Sequence, residues 1–333
     1  MKDDTQYLPT IDSCYYPYGN FNLVKTIIDS KQFFPIWITG LSGNGKTHMI
    51  QQACALSGIS EEYFADSVKV TQKQKLAEAH EGKGREFIRI NFNVDTDEID
   101  LIGGITLKDG NTVYEDGPVV EALRRGAVLL LDEIDCSRAG SAISLQSVLE
   151  GKGVFIKSKK EWVHPAPGFQ VFATSNTKGK GSEDGTFIGT NVMNGAFLDR
   201  FAGTIEQAYP TPAIEEAILK RYFIEYLWKD AAQDDKDFDD ASAFIENLCR
   251  WAKDSRDNYD NGAADEVITT RALINIIKGY SIFKDKKRAV LLACSRFDAA
   301  TRDAMIEHYQ LLTDDKAFSD YPDVSNSDAK LTI

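Results

Sequence analysis

Pro35-Ile-Trp-Ile-Thr39, followed at once by Gly40-Leu41-Ser42-Gly43-Asn44-Gly45-Lys46-Thr47, sets the architecture of this 333-residue chain. The first run is short, apolar and rich in β-branched and aromatic side chains, which predicts a strand. The second fits G-x-x-x-x-G-K-[ST], and the residues from Lys46 to Leu56 predict a helix. Strand, glycine-rich loop and helix in that order form a cradle for phosphate. The glycines let the backbone curl until successive N–H groups face phosphate oxygens, and the helix start adds its positive dipole end. Gly40 through His48 are therefore the candidate contacts for ATP. Lys46 is expected at the β- and γ-phosphates, and Thr47 is expected to offer its hydroxyl to Mg²⁺. The alternative is a glycine-rich turn of no consequence, which the flanking strand and helix disfavour.

Working outward, Ala127-Val-Leu-Leu-Leu-Asp132-Glu133 is an apolar strand whose end delivers two acids. Asp132 is placed to hold Mg²⁺ through water, and Glu133 to orient or deprotonate the water that attacks the γ-phosphate. A solvated strand end is the plainer reading of these acids taken alone. Val171-Phe-Ala-Thr-Ser-Asn176 is a third apolar strand ending in a polar group; its amide suits the attacking water or a phosphate oxygen, or simply starts a turn. Phe87–Phe92 adds another strand candidate. Strands alternating with helical segments predict a largely parallel sheet covered by helices.

Beyond Tyr209-Pro-Thr-Pro212 the texture turns helical, with candidates at 214–228, 238–251, 270–283 and 286–312. The expected organisation is an N-terminal segment with a short helix (1–33), an α/β core (34–210), a smaller all-helical domain (211–312) and a polar, peripheral tail (313–333). The Asp-rich stretch from 229 to 240 reads as a solvated connection. Two arginines stand out by position: Arg200, just before the boundary, and Arg271, at the start of a helix in the second part. Each suits transition-state charge or a surface ion pair.

Composition narrows the function classes. Hydrophobic residues make up 43% and charged ones 27%, ordinary globular values, and no apolar run approaches the 18 residues that a membrane helix needs. The start carries no signal-peptide pattern, so a soluble, cytoplasmic protein is expected. The net charge of −13 counts against a protein that coats nucleic acid. Five scattered cysteines without C-x-x-C, and four histidines with no two at ligand spacing, predict free thiols and no structural zinc.

The ordered set of blocks resembles the AAA+ ATPases, ring-forming engines, and more narrowly the MoxR-type branch with its CobS-like group. Besides the glycine-rich loop it comprises Ile99-Asp-Leu-Ile-Gly103, Glu115-Asp-Gly-Pro118, Asp132-Glu-Ile-Asp135, Phe172-Ala-Thr-Ser-Asn-Thr177, Asn194-Gly195 and Leu198-Asp-Arg-Phe201, within roughly Phe34 to Tyr280. The resemblance implies a P-loop NTPase core with a parallel sheet and a helical lid. It also implies Asn176 as the sensor-1 amide, Arg200 as an arginine finger acting in trans, and Arg271 as the sensor-2 arginine of the lid. It marks 101–125 as a helix-2 insertion and 151–170 as a pre-sensor hairpin. Relatives often carry Ser-Pro-Arg where this chain has Thr269-Thr270-Arg271, and many have Asn where it has Asp135.

What the resemblance implies about function is a Mg²⁺-dependent ATP hydrolase working as a ring, a hexamer, on a protein partner that carries a von Willebrand A-type domain. Metal chelation is one role of such motors. Two alternatives stay open from the residues: a nucleic-acid remodeller, disfavoured by the charge, and a nucleotide-gated scaffold with little turnover.

Overall fold

The computed structural model of the chain describes residues 7–59, 84–177, 190–228 and 235–313. By its contacts the chain divides into two compact units, Met1–Pro210 and Thr211–Ile333.

The first unit opens with α1 (Phe21–Ser30), β1 (Ile36–Thr39) and α2 (Lys46–Ala55). After β2 (Phe87–Asn91) and α3 (Glu98–Ile102) comes an antiparallel hairpin, β3 (Gly103–Lys108) and β4 (Asn111–Asp116). Next are α4 (Pro118–Arg125), β5 (Val128–Asp132), a 3₁₀ turn (Ile134–Cys136), α5 (Ala139–Ser144) and α6 (Gln146–Leu149). A second hairpin, β6 (Val154–Ile156) and β7 (Glu161–Val163), leads to β8 (Gln170–Ser175), α7 (Gly195–Leu198) and β9 (Gly203–Glu206).

Five of these strands make one sheet in the order β2-β5-β8-β1-β9, and every neighbouring pair is parallel. Continuous apolar runs suit such a sheet because helices cover both of its faces. The period-2 alternation is visible in β5. Val128 and Leu130 join Ile36, Ile38 and Phe172 against Phe21, Val24, Ile28, Met49 and Ile50 of α1 and α2. Leu129 and Leu131 join Trp37, Val171 and Ala173 on the other face, against Val119, Val120 and Leu123 of α4. Burying each such Leu or Ile contributes about 1.5–3 kcal/mol. Because the strands run in parallel, their C-terminal ends share one edge, and that edge carries Gly40, Asp132 and Asn176.

β9 has no counterpart among the sequence-predicted strands. It is short and half-exposed at the sheet edge, so no apolar run announces it.

The second unit packs α8 (Pro212–Phe223), which runs into a π-helical turn (Ile224–Trp228), with α9 (Asp235–Asp260), α10 (Thr270–Phe283), α11 (Lys286–Cys294) and α12 (Ala299–Thr313). The expected helix over 286–312 is two helices, because Asp298 turns its carboxylate onto the N–H groups of Ala300 and Thr301 and so starts α12 afresh. The expected helix over 238–251 runs longer, from Asp235 to Asp260, and takes in the end of the Asp-rich stretch; residues 229–234 and the tail from 314 lie outside the described residues.

A buried ion pair organises this unit. Glu215 accepts Nη2 of Arg256 at 2.8 Å on Oε1 and Nη1 at 3.1 Å on Oε2, and its Oε1 also accepts the Thr270 hydroxyl at 2.6 Å. Arg256 Nε donates to the Ile268 carbonyl at 3.0 Å. Among the described residues no helix is long and apolar enough to cross a membrane.

Candidate functional site

β1 ends at Thr39, and the chain leaves the sheet through Gly40, whose φ of 142° no L side chain adopts comfortably. A Cβ there would overlap the Gln207 carbonyl oxygen and lie 2.7 Å from Nδ2 of Asn44. Gly43 (φ 74°) and Gly45 (φ 82°) complete the curl. α2 then starts with no side-chain cap; its first intrahelical bond from beyond the loop is Met49 N–H to the Gly45 carbonyl at 2.8 Å. The N–H groups of Thr47 and His48 precede that bond and have no acceptor within the helix, so the helix start faces the loop with its positive end.

The loop is braced from behind by residues that the sequence does not flag. Tyr18 donates its hydroxyl to the Asn44 carbonyl, and Tyr209 donates to the Ser42 carbonyl at 2.6 Å. The buried Asn44 side chain donates to the Gln207 carbonyl. The Gln207 side chain in turn accepts from the backbone and side chain of Asn20 at 3.2 and 3.0 Å. His48 turns its imidazole to this N-terminal segment, 3.3 Å from the Asp12 carboxylate and edge-on to Tyr15.

In front of the loop, the predicted groups converge. The Lys46 ammonium donates to the carbonyls of Gly40 (2.5 Å) and Leu41 (2.9 Å) and to Oδ1 of Asn176 (3.2 Å). The Thr47 hydroxyl donates to Oδ1 of Asp132 at 2.9 Å, and the Thr174 hydroxyl donates to the same oxygen. Thr47 and Asp132 thus present hard oxygens side by side. That pairing fits Mg²⁺, which takes one or two protein oxygens, keeps waters and fills its octahedron from phosphate. Among the described residues no cluster of three or more His, Cys, Asp or Glu offers an all-protein cage instead.

Glu133 is exposed and sits in the left-handed region at φ 56°, ψ 40°, with its N–H on the Thr174 hydroxyl at 3.1 Å. A non-glycine residue held there stores strain, which the well-tied neighbours Asp132 and Ile134 maintain. Asp135, fully buried, accepts the N–H groups of Asn176 and Thr177 on Oδ2, each at 3.2 Å, and fixes the end of β8. Burial pushes its carboxyl above the ordinary value, against the hydrogen bonds from Thr177 and Asn176 that favour the ionised form.

Arg200 is held by other partners of the first unit. It donates through Nε to Glu150 at 2.9 Å and through Nη1 to the Ala196 carbonyl. The Lys152 ammonium and then the Arg200 guanidinium hold the Glu150 carboxyl below its ordinary value. Arg271 is exposed on α10 in the second unit, beside the buried Thr270. A residue absent from the sequence-level candidates enters instead: Arg89 of β2 places Nε 2.7 Å and Nη2 2.6 Å from Oδ2 of Asp132. Its only sequence signal is being the charged residue in the alternation of Phe87-Ile-Arg-Ile-Asn91.

Residues 35–201, half of the chain, match the family described as AAA domain, dynein-related subfamily. The chain belongs to this AAA family. Its glycine-rich loop, acid-ended strand and Asn-ended strand all fall within the matched AAA residues. Among curated proteins it is similar to the aerobic cobaltochelatase subunit CobS of a Sinorhizobium species, 28% identical over 67% of this chain and 66% of that protein. It is also similar to midasin of Dictyostelium discoideum, 29% identical over 60% of this chain and 3% of midasin. The chain thus spans less than two thirds of each of these relatives. An uncharacterized Staphylococcus aureus protein is 28% identical over 70% of this chain and 83% of its own length. The AAA domain, the CobS-like relative and the parallel sheet together agree with the MoxR-like, P-loop α/β reading.

Proposed function

We propose that the chain is a Mg²⁺-dependent ATP hydrolase that assembles into a ring, a hexamer, and remodels or activates a protein partner in CobS- and MoxR-like fashion. One observation carries the reading: at the start of α2, directly after the glycine-rich loop, Lys46 meets Asn176 past the end of β8 and Thr47 meets Asp132 at the end of β5, each within hydrogen-bond distance. A turn of no consequence would not require that convergence.

In this reading the loop N–H groups and Lys46 bind the β- and γ-phosphates, and Thr47 and Asp132 hold Mg²⁺. Bound there, Mg²⁺ would neutralise charge on the phosphate oxygens. Glu133 takes a proton from the attacking water, and Asn176 orients that water or a γ-phosphate oxygen. Arg200 serves a neighbouring subunit's nucleotide, and Arg271 acts from the helical unit; an arginine in trans couples hydrolysis to subunit arrangement. Residues 34–210 are the nucleotide-binding core and 211–312 the lid. The CobS-like relative supports a protein partner, for which a von Willebrand A-type domain is the candidate, and metal chelation is one task such a pair would serve. The cytoplasm, where ATP is available, is the compartment this function requires.

The test is the solution mass of the full chain with and without Mg²⁺ and ATP, with Glu133→Gln to hold the bound state and Arg200→Ala as the interface variant. A nucleotide-dependent ring whose phosphate release collapses in Arg200→Ala supports the reading. A monomer under every condition that hydrolyses ATP equally well without Arg200 overturns the ring and the trans arginine.

A further inference from the structure

Asp132 is held by neighbours of two kinds. Its Oδ1 accepts the hydroxyls of Thr47 and Thr174, which are neutral and lie at the start of α2 and on β8. Its Oδ2 accepts Nε and Nη2 of Arg89, which is charged. The Asp132 side chain is 4% exposed and that of Arg89 is 49% exposed, so one partner is fixed in the interior while the other reaches in from water. A buried carboxylate without a counter-charge is costly, and a guanidinium at 2.6–2.7 Å supplies that charge through short, charge-assisted bonds.

We infer that Arg89 is a positioning residue that competes with the divalent metal for Asp132. The inference rests on the reading of this site as one for a metal–nucleotide complex. Arg89 stands on the Asp132 carboxylate as a built-in cation, and a divalent ion arriving beside Thr47 makes a second claim on the same group. Two cations facing one carboxylate in a poorly solvated corner repel each other. The one with a half-exposed side chain can withdraw into water at small cost, because Thr47 and Thr174 keep Oδ1 in place. Arg89 therefore lowers the affinity of the site for metal. It also screens Asp132 from the phosphates when metal is scarce, so it weakens the mutual dependence of metal and nucleotide.

The full chain is compared with Arg89→Gln and Arg89→Met, two neutral replacements, and with Arg89→Lys, which restores a cation. Mn²⁺ binding is read by electron paramagnetic resonance with a non-hydrolysed ATP analogue at saturation, and affinity for the same analogue is read in EDTA; thermal melts report folding. With either neutral replacement, the Mn²⁺ concentration for half-saturation falls by about 3- to 10-fold. Analogue affinity in EDTA weakens by a similar factor, and Arg89→Lys moves both values back toward wild type. A residue that merely braces the strand would loosen metal binding or leave it alone. Unchanged or weaker Mn²⁺ binding in a folded neutral variant, beside a wild type that binds the Mn²⁺–analogue complex, overturns the role of Arg89 alone. A wild type that binds no analogue with or without Mn²⁺ overturns the nucleotide reading and this inference together.

Discussion

Asp135 accepts the Thr177 hydroxyl at 3.0 Å and the Thr177 N–H at 3.2 Å on a single oxygen, so the turn after β5 is bolted from inside to the end of β8. The bond joins the acid that should activate water, two residues earlier, to the amide of Asn176, one residue before Thr177. The geometry of one strand end is thereby tied to that of the other.

That buried carboxylate sets a pH dependence. Burial raises its folded-state value above the ordinary 3.8. The folded state thus binds this proton more tightly than the unfolded chain does. The group's contribution to stability is complete below the ordinary value and is lost as pH rises through the raised one. Asn at 135 does not titrate. Thermal melts of Asp135→Asn against wild type should therefore move in the variant's favour as the pH is raised over the range above about 4. Two melting curves that stay parallel across that range would rule the burial effect out.

Glu133 combines a left-handed backbone with the proposed role of base. Glu133→Gln keeps shape and removes the base, so phosphate release should drop by about 10²–10⁴-fold while nucleotide affinity holds. Glu133→Gly should lose turnover as well, yet melt no lower than wild type, because glycine accepts φ 56° without the roughly 1–2 kcal/mol that a Cβ costs there. Melts combined with phosphate-release rates separate the two effects; a Glu133→Gly protein that melts well below wild type would mean the strain is not there.

What sequence could show of all this follows from physics. Glycine, Lys and Thr at fixed spacing between an apolar strand and a helix have few other uses, so the loop was legible, and so were the fully buried strands β1, β5 and β8. β9 was not, because half-exposed edge strands carry little apolar pattern. The partners of the site were illegible for another reason: Tyr18, Gln207, Tyr209 and Arg89 reach the loop or Asp132 only through tertiary folding, and a Tyr or Arg near a strand has many ordinary uses. Thr270 is instructive. It stands at the first position of α10, where proline is favoured, and its hydroxyl serves Glu215.

The Glu215–Arg256 pair tests how the second unit holds together. Its side chains are 1% and 11% exposed, so Arg256→Ala leaves a buried carboxylate that, among the described residues, keeps the Thr270 hydroxyl alone. A loss of about 3–5 kcal/mol is expected in denaturant unfolding. Replacing both partners with apolar residues of similar volume should recover most of it. If Arg256→Ala costs less than 1 kcal/mol on the same scale, the pair behaves as a surface bridge and the buried-network account fails.

Gly40 offers the sharpest separation of loop geometry from general stability. Both Gly40 and Gly58 carry positive φ, 142° and 75°, and alanine strains the backbone at either by about 1–3 kcal/mol. Around Gly58, which is exposed, a Cβ meets nothing within 4 Å. At Gly40 it drives into the Gln207 carbonyl and the Asn44 amide, the contacts that set the loop's curl. Both variants should melt below wild type, but only Gly40→Ala should lose nucleotide affinity, by about tenfold or more since at least one charge-assisted phosphate contact is displaced. Fluorescent-nucleotide titration of the two folded variants decides the matter. Equal affinities would show that the loop tolerates a shifted Gln207, and the bracing by Tyr18, Gln207 and Tyr209 would then be incidental to binding.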